Sequence, residues 1–410
     1  MPSVCFYFQV HQPLRLKKYR IFDIGSERQY FNDSSESKLN NVKILNKVAS
    51  KCYLPANNVL YGLLKKHPDF KISFSFSGVF LEQIEDNAPE VLESFQRLVD
   101  TGQVEVLSET YYHSLAFLYS REEFEKEVLL HRKMVKRLFG QTPKVFRNTE
   151  LIYSDEIAKV IEGMGYKGIL AEGADHVLGW RSPNFVYAPE GSKKIKLLLK
   201  NYKLSDDIAF RFSSRDWSGF PLTAPKFANW VSEANGNGEV INLFMDYETF
   251  GEHQWEDTGI FNFLLHLPEE VLKHPDNNFV TPYEAVRLYK PAGVLSFPEF
   301  TSWADVERDL SAWRSNSMQY DALNKLYALE GDVLKTEDSN IIEDWRRMQT
   351  SDHFYYMCTK WFNDGDVHKY FNPYESPYDA FITFMNVLND LKLRIGESKK
   401  MRSKNYNKKV

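Results

Sequence analysis

The chain has 410 residues, 43% of them hydrophobic, which is too long for one minimal domain and enough for a barrel plus a second lobe. Its formal net charge is -5 and its basic cluster is confined to the tail KKMRSKNYNKKV at 399–410, which excludes a dedicated nucleic-acid binder. No stretch approaches 18 uncharged apolar residues, so nothing reads as a membrane span.

The opening MPSVCFYFQV runs into a strand at 4–10 with no basic leader and no cleavage signal. Further strands are expected at 71–77, 104–109, 144–149, 168–172, 195–202 and 239–247, with GVLSF at 293–297 a candidate eighth. Helical patterns lie between them, at 88–102, 120–140 and 154–165 among others. The last begins with Ser154 as the expected N-cap, followed by Asp155 and Glu156. Strands alternating with helices imply an α/β fold with a parallel sheet, and seven or eight such units over about 300 residues imply a TIM-like barrel. After Phe300 the texture becomes helical, at 302–335, 341–362 and 376–396. The expected organisation is a barrel catalytic domain over 1–300 and a helical domain over 301–410 packed on it.

Cys5, Cys52 and Cys358 show no short spacing, which fits neither a disulfide framework nor a thiolate zinc site. A reducing compartment is the simplest home for them, and a soluble cytoplasmic protein is expected.

The C-terminal ends of five expected strands are polar: HQP at 11–13, SETYYH at 108–113, RNTE at 147–150, AEGADH at 171–176 and DYETFGEH at 246–253. In parallel barrels that end is the catalytic face, because the βα loops converge there. An acid after a strand often caps the next helix. Ser154 competes for that role, which leaves Glu150 for chemistry. Asp246 sits among large apolar residues in NLFMDYETF, so it is either paired or kept protonated by desolvation. There is no phosphate-binding glycine motif, no G-x-S-x-G elbow and no H-E-x-x-H. The histidines are scattered, so no metal and no cofactor is assigned. Two carboxylates on separate strand ends, among Tyr and Trp, suit glycoside hydrolysis, which needs one anionic and one protonated carboxyl flanking the bond.

The chain resembles glycoside hydrolase family 57, the α-amylase-like family with an incomplete seven-stranded β/α barrel and a helical C-terminal region. HQP at 11–13 looks like its first motif, GQVEVLSETYYH at 102–113 its second and FRNTELIYSD at 146–155 its third. FMDYETFGEH at 244–253 looks like the fourth, and SWADVERDLSAW at 302–313 the fifth. The resemblance implies an incomplete (β/α)7 TIM-like barrel followed by a C-terminal helical lobe that contributes to the active-site cleft. It implies Glu150 as nucleophile and Asp246 as general acid/base. His11, Gln12, Glu105, His113 and Trp303 fall in motifs that line the family's site, and Glu248 matches the second acid of Asp-x-Glu. Trp180, Tyr247, Trp255 and Trp303 are expected to stack on sugar rings.

The expected activity is therefore a retaining α-glucan hydrolase acting on α-glucan or maltooligosaccharide, with its two carboxyls about 5–5.5 Å apart. The charges of Glu150 and Glu248 are expected to keep Asp246 protonated. The alternatives are a 4-α-glucanotransferase or branching enzyme using the same glycosyl-enzyme, a carbohydrate-binding protein on the same fold, and a metal-dependent hydrolase. No nucleic-acid or membrane partner is expected, and nothing in the residues sets the oligomeric state.

Overall fold

The computed structural model describes residues 2–31, 38–360 and 367–407. Among them the strands are β1 Ser3–Val10, β2 Ile72–Phe76, β3 Val104–Val106, β4 Val145–Arg147 and β5 Gly168–Glu172, then β6 Ala188–Pro189, β7 Lys196–Lys200, β8 Val240–Asp246, β9 Asn278–Phe279 and β10 Val294–Leu295. Seven of these form one parallel sheet in the order β3-β2-β1-β8-β7-β5-β4, with β9 beside β1. The two ends of that path meet through a single parallel bridge between Ser108 and Phe146. There the Ser108 N–H donates to the Val145 carbonyl at 3.0 Å, and the Arg147 N–H to the Ser108 carbonyl at 2.8 Å. The result is an incomplete (β/α)7 barrel of seven strands, in which β3 and β4, three residues each, approach only at that bridge.

β1 is buried on both faces along its whole length, as a central parallel strand must be when helices cover one side and core the other. Alternation sends Phe6 and Phe8 to one face and Cys5, Tyr7 and Gln9 to the other. On the first face Phe8 packs on Phe74 and Tyr247, and Phe74 on Phe95 of the helix Pro89–Val99. Each such fully buried aromatic contributes roughly 1.5–3 kcal/mol. On the other face Cys5, Tyr7, Leu107, Val145, Leu170, Leu198 and Phe244 share one buried cluster inside the barrel.

That interior changes character two residues further along each strand. Tyr7 is followed at that spacing by Gln9, Leu107 by Glu109, Val145 by Arg147, Leu170 by Glu172, Leu198 by Lys200 and Phe244 by Asp246. A step of two returns to the same face, so the C-terminal mouth of the barrel is lined by polar side chains resting on an apolar floor.

The elements differ from expectation in several places. GVLSF is not a barrel strand: Val294–Leu295 pairs with Ala188–Pro189 in a separate two-stranded ladder. Ser154 has the extended backbone of an N-cap, but its side chain makes no capping bond to the helix Asp155–Gly163. The segment 302–316 is not helical. Asp305 and Arg308 have φ of 52° and 54°, which no right-handed helix admits, and helix begins only at Ser317, capped by Asn316.

The chain separates into two compact units, one of residues 1–12, 45–110 and 128–303, the other of 13–44, 111–127 and 304–410. The first holds the barrel. The second is helical, with Ser317–Tyr327, Ser339–Arg347, Ser351–Tyr355 and Pro377–Asn407 around buried Trp313 and Trp345. The helix expected at 341–362 is thus two helices, and residues 361 and 362 lie outside the described residues. In this unit Arg394 bridges Asp344 at 2.6 Å and the Tyr30 hydroxyl at 3.0 Å.

Candidate active site

β4 ends at Arg147, and the chain then turns sharply. Glu150 takes φ 56° and ψ 28°, and Leu151 φ 50°. Left-handed backbone at a non-glycine residue costs ~1–2 kcal/mol, so something must hold it. The holding piece is the segment 297–303. Tyr153 and Thr301 exchange both backbone bonds at 2.9 Å, and the Phe297 N–H donates to Asp155 Oδ2 at 2.8 Å. The Trp303 N–H donates to the Glu150 carbonyl at 3.3 Å, and its indole Nε1–H donates to Glu150 Oε2 at 2.7 Å. The half-buried Glu150 carboxylate is thereby fixed at the C-terminal mouth of the barrel.

Asp246 ends β8, in register with Gln9 of β1. Glu248, two residues on, is buried. It accepts the Tyr53 hydroxyl at 2.5 Å and the His11 backbone N–H. Burial, and then the charge of Asp246, push its carboxyl up to about 8. Glu248 therefore keeps a proton at neutral pH, so it does not supply the negative charge that was expected to hold the proton on Asp246. His11 Nδ1 pairs with the Ser77 hydroxyl at 2.6 Å. Gln12 is buried and hydrogen-bonds Tyr53.

Between these groups lies the polar layer of the barrel mouth. Gln9 Nε2 donates to Glu109 at 3.1 Å, and Arg147 Nη1 lies 3.7 Å from Glu109 Oε2. Lys200 Nζ lies 3.8 Å from Glu172 and 3.0 Å from Asp206. The Tyr7 hydroxyl donates to Gln9 Oε1 at 2.7 Å. Burial raises the pKa of that phenol, Arg147 lowers it, and Glu109 and Asp246 raise it again. Two carboxyls at strand ends of this mouth, Glu150 and Asp246, above a layer of charged side chains, are the kinds of group that nucleophilic and acid–base chemistry uses.

The fold turns two of the expected residues, Tyr247 and Glu105, away from this mouth. Tyr247 points outward, fully buried among Phe8, Phe74 and Phe95, with its hydroxyl donating to Asn57 at 2.6 Å. Glu105 lies toward the N-terminal ends of the strands, opposite Ser73. It accepts the Tyr283 N–H at 2.8 Å and faces a cavity of about 280 Å³ lined by Gly102, Lys144, Thr281 and Glu284. Burial pushes its carboxyl up to about 7. His113 belongs to the second unit, where it is buried with φ 52° and its carbonyl accepts the Ser351 N–H at 2.9 Å. Trp180 is 89% exposed with Arg181 over its ring, and Trp255 is 57% exposed with Lys51 over its ring.

Glu109, Arg147, Glu172 and Lys200 were not singled out in the sequence, although each stands two residues after an interior apolar residue of its strand. Among the described residues no three His, Cys, Asp or Glu side chains gather as metal ligands, and no helix is long and apolar enough to cross a membrane.

The family model described as Glycosyl hydrolase family 57 matches residues 5–298. The chain is 46% identical over 408 residues to a Methanocaldococcus jannaschii protein named "Putative alpha-amylase", covering 96% of this chain and 85% of that one. It is 24% identical to alpha-amylase 1 of Dictyoglomus thermophilum over 61% of this chain, but spans only 36% of that longer protein. Its fold is similar, with a TM-score of 0.66 at 15% identity, to the crystal structure of the GH57-type branching enzyme of Pyrococcus horikoshii, over 90% of this chain and 87% of that one.

Proposed function

Because the chain belongs to glycosyl hydrolase family 57, and so is an enzyme acting on glycosidic bonds, we propose that it is an α-amylase-like enzyme that cleaves α-1,4-glucosidic bonds with retention. Glu150 attacks the anomeric carbon and forms a glycosyl-enzyme. Asp246 protonates the departing oxygen, then takes a proton from the incoming water. Glu248, uncharged at neutral pH, hydrogen-bonds the sugar, as does His11, whose ring is supported by the Ser77 hydroxyl. The exposed faces of Trp180 and Trp255 are platforms for further sugar units. Unpaired, buried Cys5, Cys52 and Cys358 support a reducing compartment as its place of work.

The observation that carries this reading is the Glu150 carboxylate itself, locked by left-handed backbone and an indole hydrogen bond at the mouth of a parallel barrel. A solvating surface glutamate needs neither, and strain of this kind concentrates at functional sites. Anomeric NMR on a defined maltooligosaccharide tests the proposal. The first product is expected to be the α-anomer; a β-anomer would refute retention. Products longer than the substrate would make the chain a glucanotransferase or branching enzyme, in which a sugar hydroxyl replaces water. Equal, slow cleavage by parent and Glu150→Gln would leave only a carbohydrate-binding role.

A further inference from the structure

Trp303 was expected to stack on sugar, yet its indole is engaged from two other directions. Its N–H is committed to Glu150. Its ring receives two cations, with the Arg147 guanidinium carbon 5.0 Å and the Lys200 Nζ 5.3 Å from the ring centroid. Both distances lie within the range of cation–π attraction. Arg147 ends β4 and Lys200 ends β7, so the two charges come from opposite sides of β5. Arg147 has no exposed surface, and none of its three nitrogens finds a hydrogen-bond acceptor among the described residues. Its charge is met by Glu109 at 3.7 Å and by the Trp303 ring. Lys200 is nearly as buried.

We propose that Arg147 and Lys200 are positioning residues for the reaction, acting through the Trp303 indole to hold the Glu150 carboxylate in its attacking orientation. The inference rests on the glycosidase reading of Glu150. A cation near an indole face draws on the ring's electron density and makes its N–H a stronger donor. The acceptor is a carboxylate, so the bond is charge-assisted and gains most from such polarisation. The two cations also pin the ring plane, which sets the direction in which Nε1–H points. Glu109 and Glu172 hold the cations in place, so the alternating charges of the barrel mouth form a frame under the nucleophile.

Two readouts on the full chain test this. The first does not depend on turnover: solvent exchange of the Trp303 indole proton, assigned by its loss in Trp303→Phe. Exchange is expected to be at least tenfold faster in Arg147→Met and Lys200→Met than in the parent, approaching the rate in Glu150→Ala. Exchange as slow as the parent's in both variants would overturn the proposal. The second is kinetics on a maltooligosaccharide. Arg147→Met is expected to lower kcat at least tenfold with KM within twofold, and Arg147→Lys, which also serves if the Met variant does not fold, to recover part of the loss. The double variant Arg147→Met/Trp303→Phe is expected to be no slower than Trp303→Phe alone, because both act along one path. Multiplying losses would overturn the linkage. A parent without turnover refutes the glycosidase reading and the catalytic role with it. An active parent with unaltered exchange refutes only the positioning.

Discussion

The indole nitrogen of Trp303 lies 2.7 Å from Oε2 of Glu150, across 153 positions of sequence. The same pair is joined again through the backbone, Trp303 N–H to the Glu150 carbonyl. Two bonds to one residue orient both its main chain and its side chain before substrate arrives. Such preorganisation removes part of the entropic barrier to attack. The segment that carries Trp303 is thus part of the site's construction.

Glu150→Gln keeps the shape of the side chain and removes its charge. Turnover of a maltooligosaccharide is expected to fall at least about a thousandfold, as when a covalent nucleophile is lost. The thermal midpoint should move little. Activity within tenfold of the parent would remove Glu150 from the chemistry.

The backbone at 150 makes a separate prediction. Glycine adopts φ 56° freely and alanine does not. Glu150→Gly should therefore be more stable than Glu150→Ala by roughly 0.5–1 kcal/mol, after the extra flexibility of glycine in the unfolded chain is counted. Urea midpoints of the two variants, measured side by side, give the order; at an ordinary helical or extended position it would reverse.

Glu248 gives a pH dependence of stability. Its carboxyl rises from 4.5 to about 8 on folding, through burial first and the Asp246 charge second. Between those values the unfolded chain has released the proton and the folded chain still holds it. Folding thus takes up a proton, and stability falls as pH rises through the window, by at most about 1.4 kcal/mol per pH unit. Below 4.5 and above 8 this group adds no slope. Burial raises Glu105 to about 7 and Glu127 to about 8, with the same sign. The denaturation midpoint of Glu248→Gln is expected to decline less steeply from pH 5 to 8 than that of the parent. Identical slopes would show that Glu248 ionises normally.

Gly251, in the fourth motif, has φ 118°, and a Cβ there would run into the Lys51 carbonyl oxygen. The obstacle is backbone, which cannot swing aside. Gly251→Ala is expected to cost at least ~3 kcal/mol through strain and displaced backbone. A thermal midpoint within two or so degrees of the parent would contradict that close approach.

Much of the barrel was legible along the chain. Residues 168–172 form a strand over the expected span, five other expected barrel strands contain the observed ones, and the first begins one residue earlier, at Ser3. Runs of β-branched and aromatic residues between helical patterns leave few alternatives once the sheet is parallel. The acids at 150 and 246 stood out because each follows such a run at its C-terminal end. Tyr247 and Glu105 show the limits of that reading. Motif membership does not say which face a residue takes: β8 ends at Asp246, and Tyr247, opening the 3-10 turn Tyr247–Thr249, packs outward among Phe8, Phe74 and Phe95. Glu105 shares the inward face of β3 with Leu107 but lies at the other end of the barrel. In 302–316 apolar residues recur at helical spacing, yet local turns such as Ser311 N–H to Asp309 Oδ1 at 2.8 Å compete for the backbone.

The sequence by itself determined the alternation of strand and helix, the polar strand ends and the two acids, because hydrophobic period and local chemistry are properties of neighbouring residues. Only the tertiary structure decided which side chains meet at the barrel mouth. Arg147, Lys200, Glu150 and Trp303 come from two strand ends and a distant segment, and their contacts depend on strand order and register, which no local pattern encodes. Physically, the pleat of a strand says which way a residue faces, while closure of the sheet says what it faces.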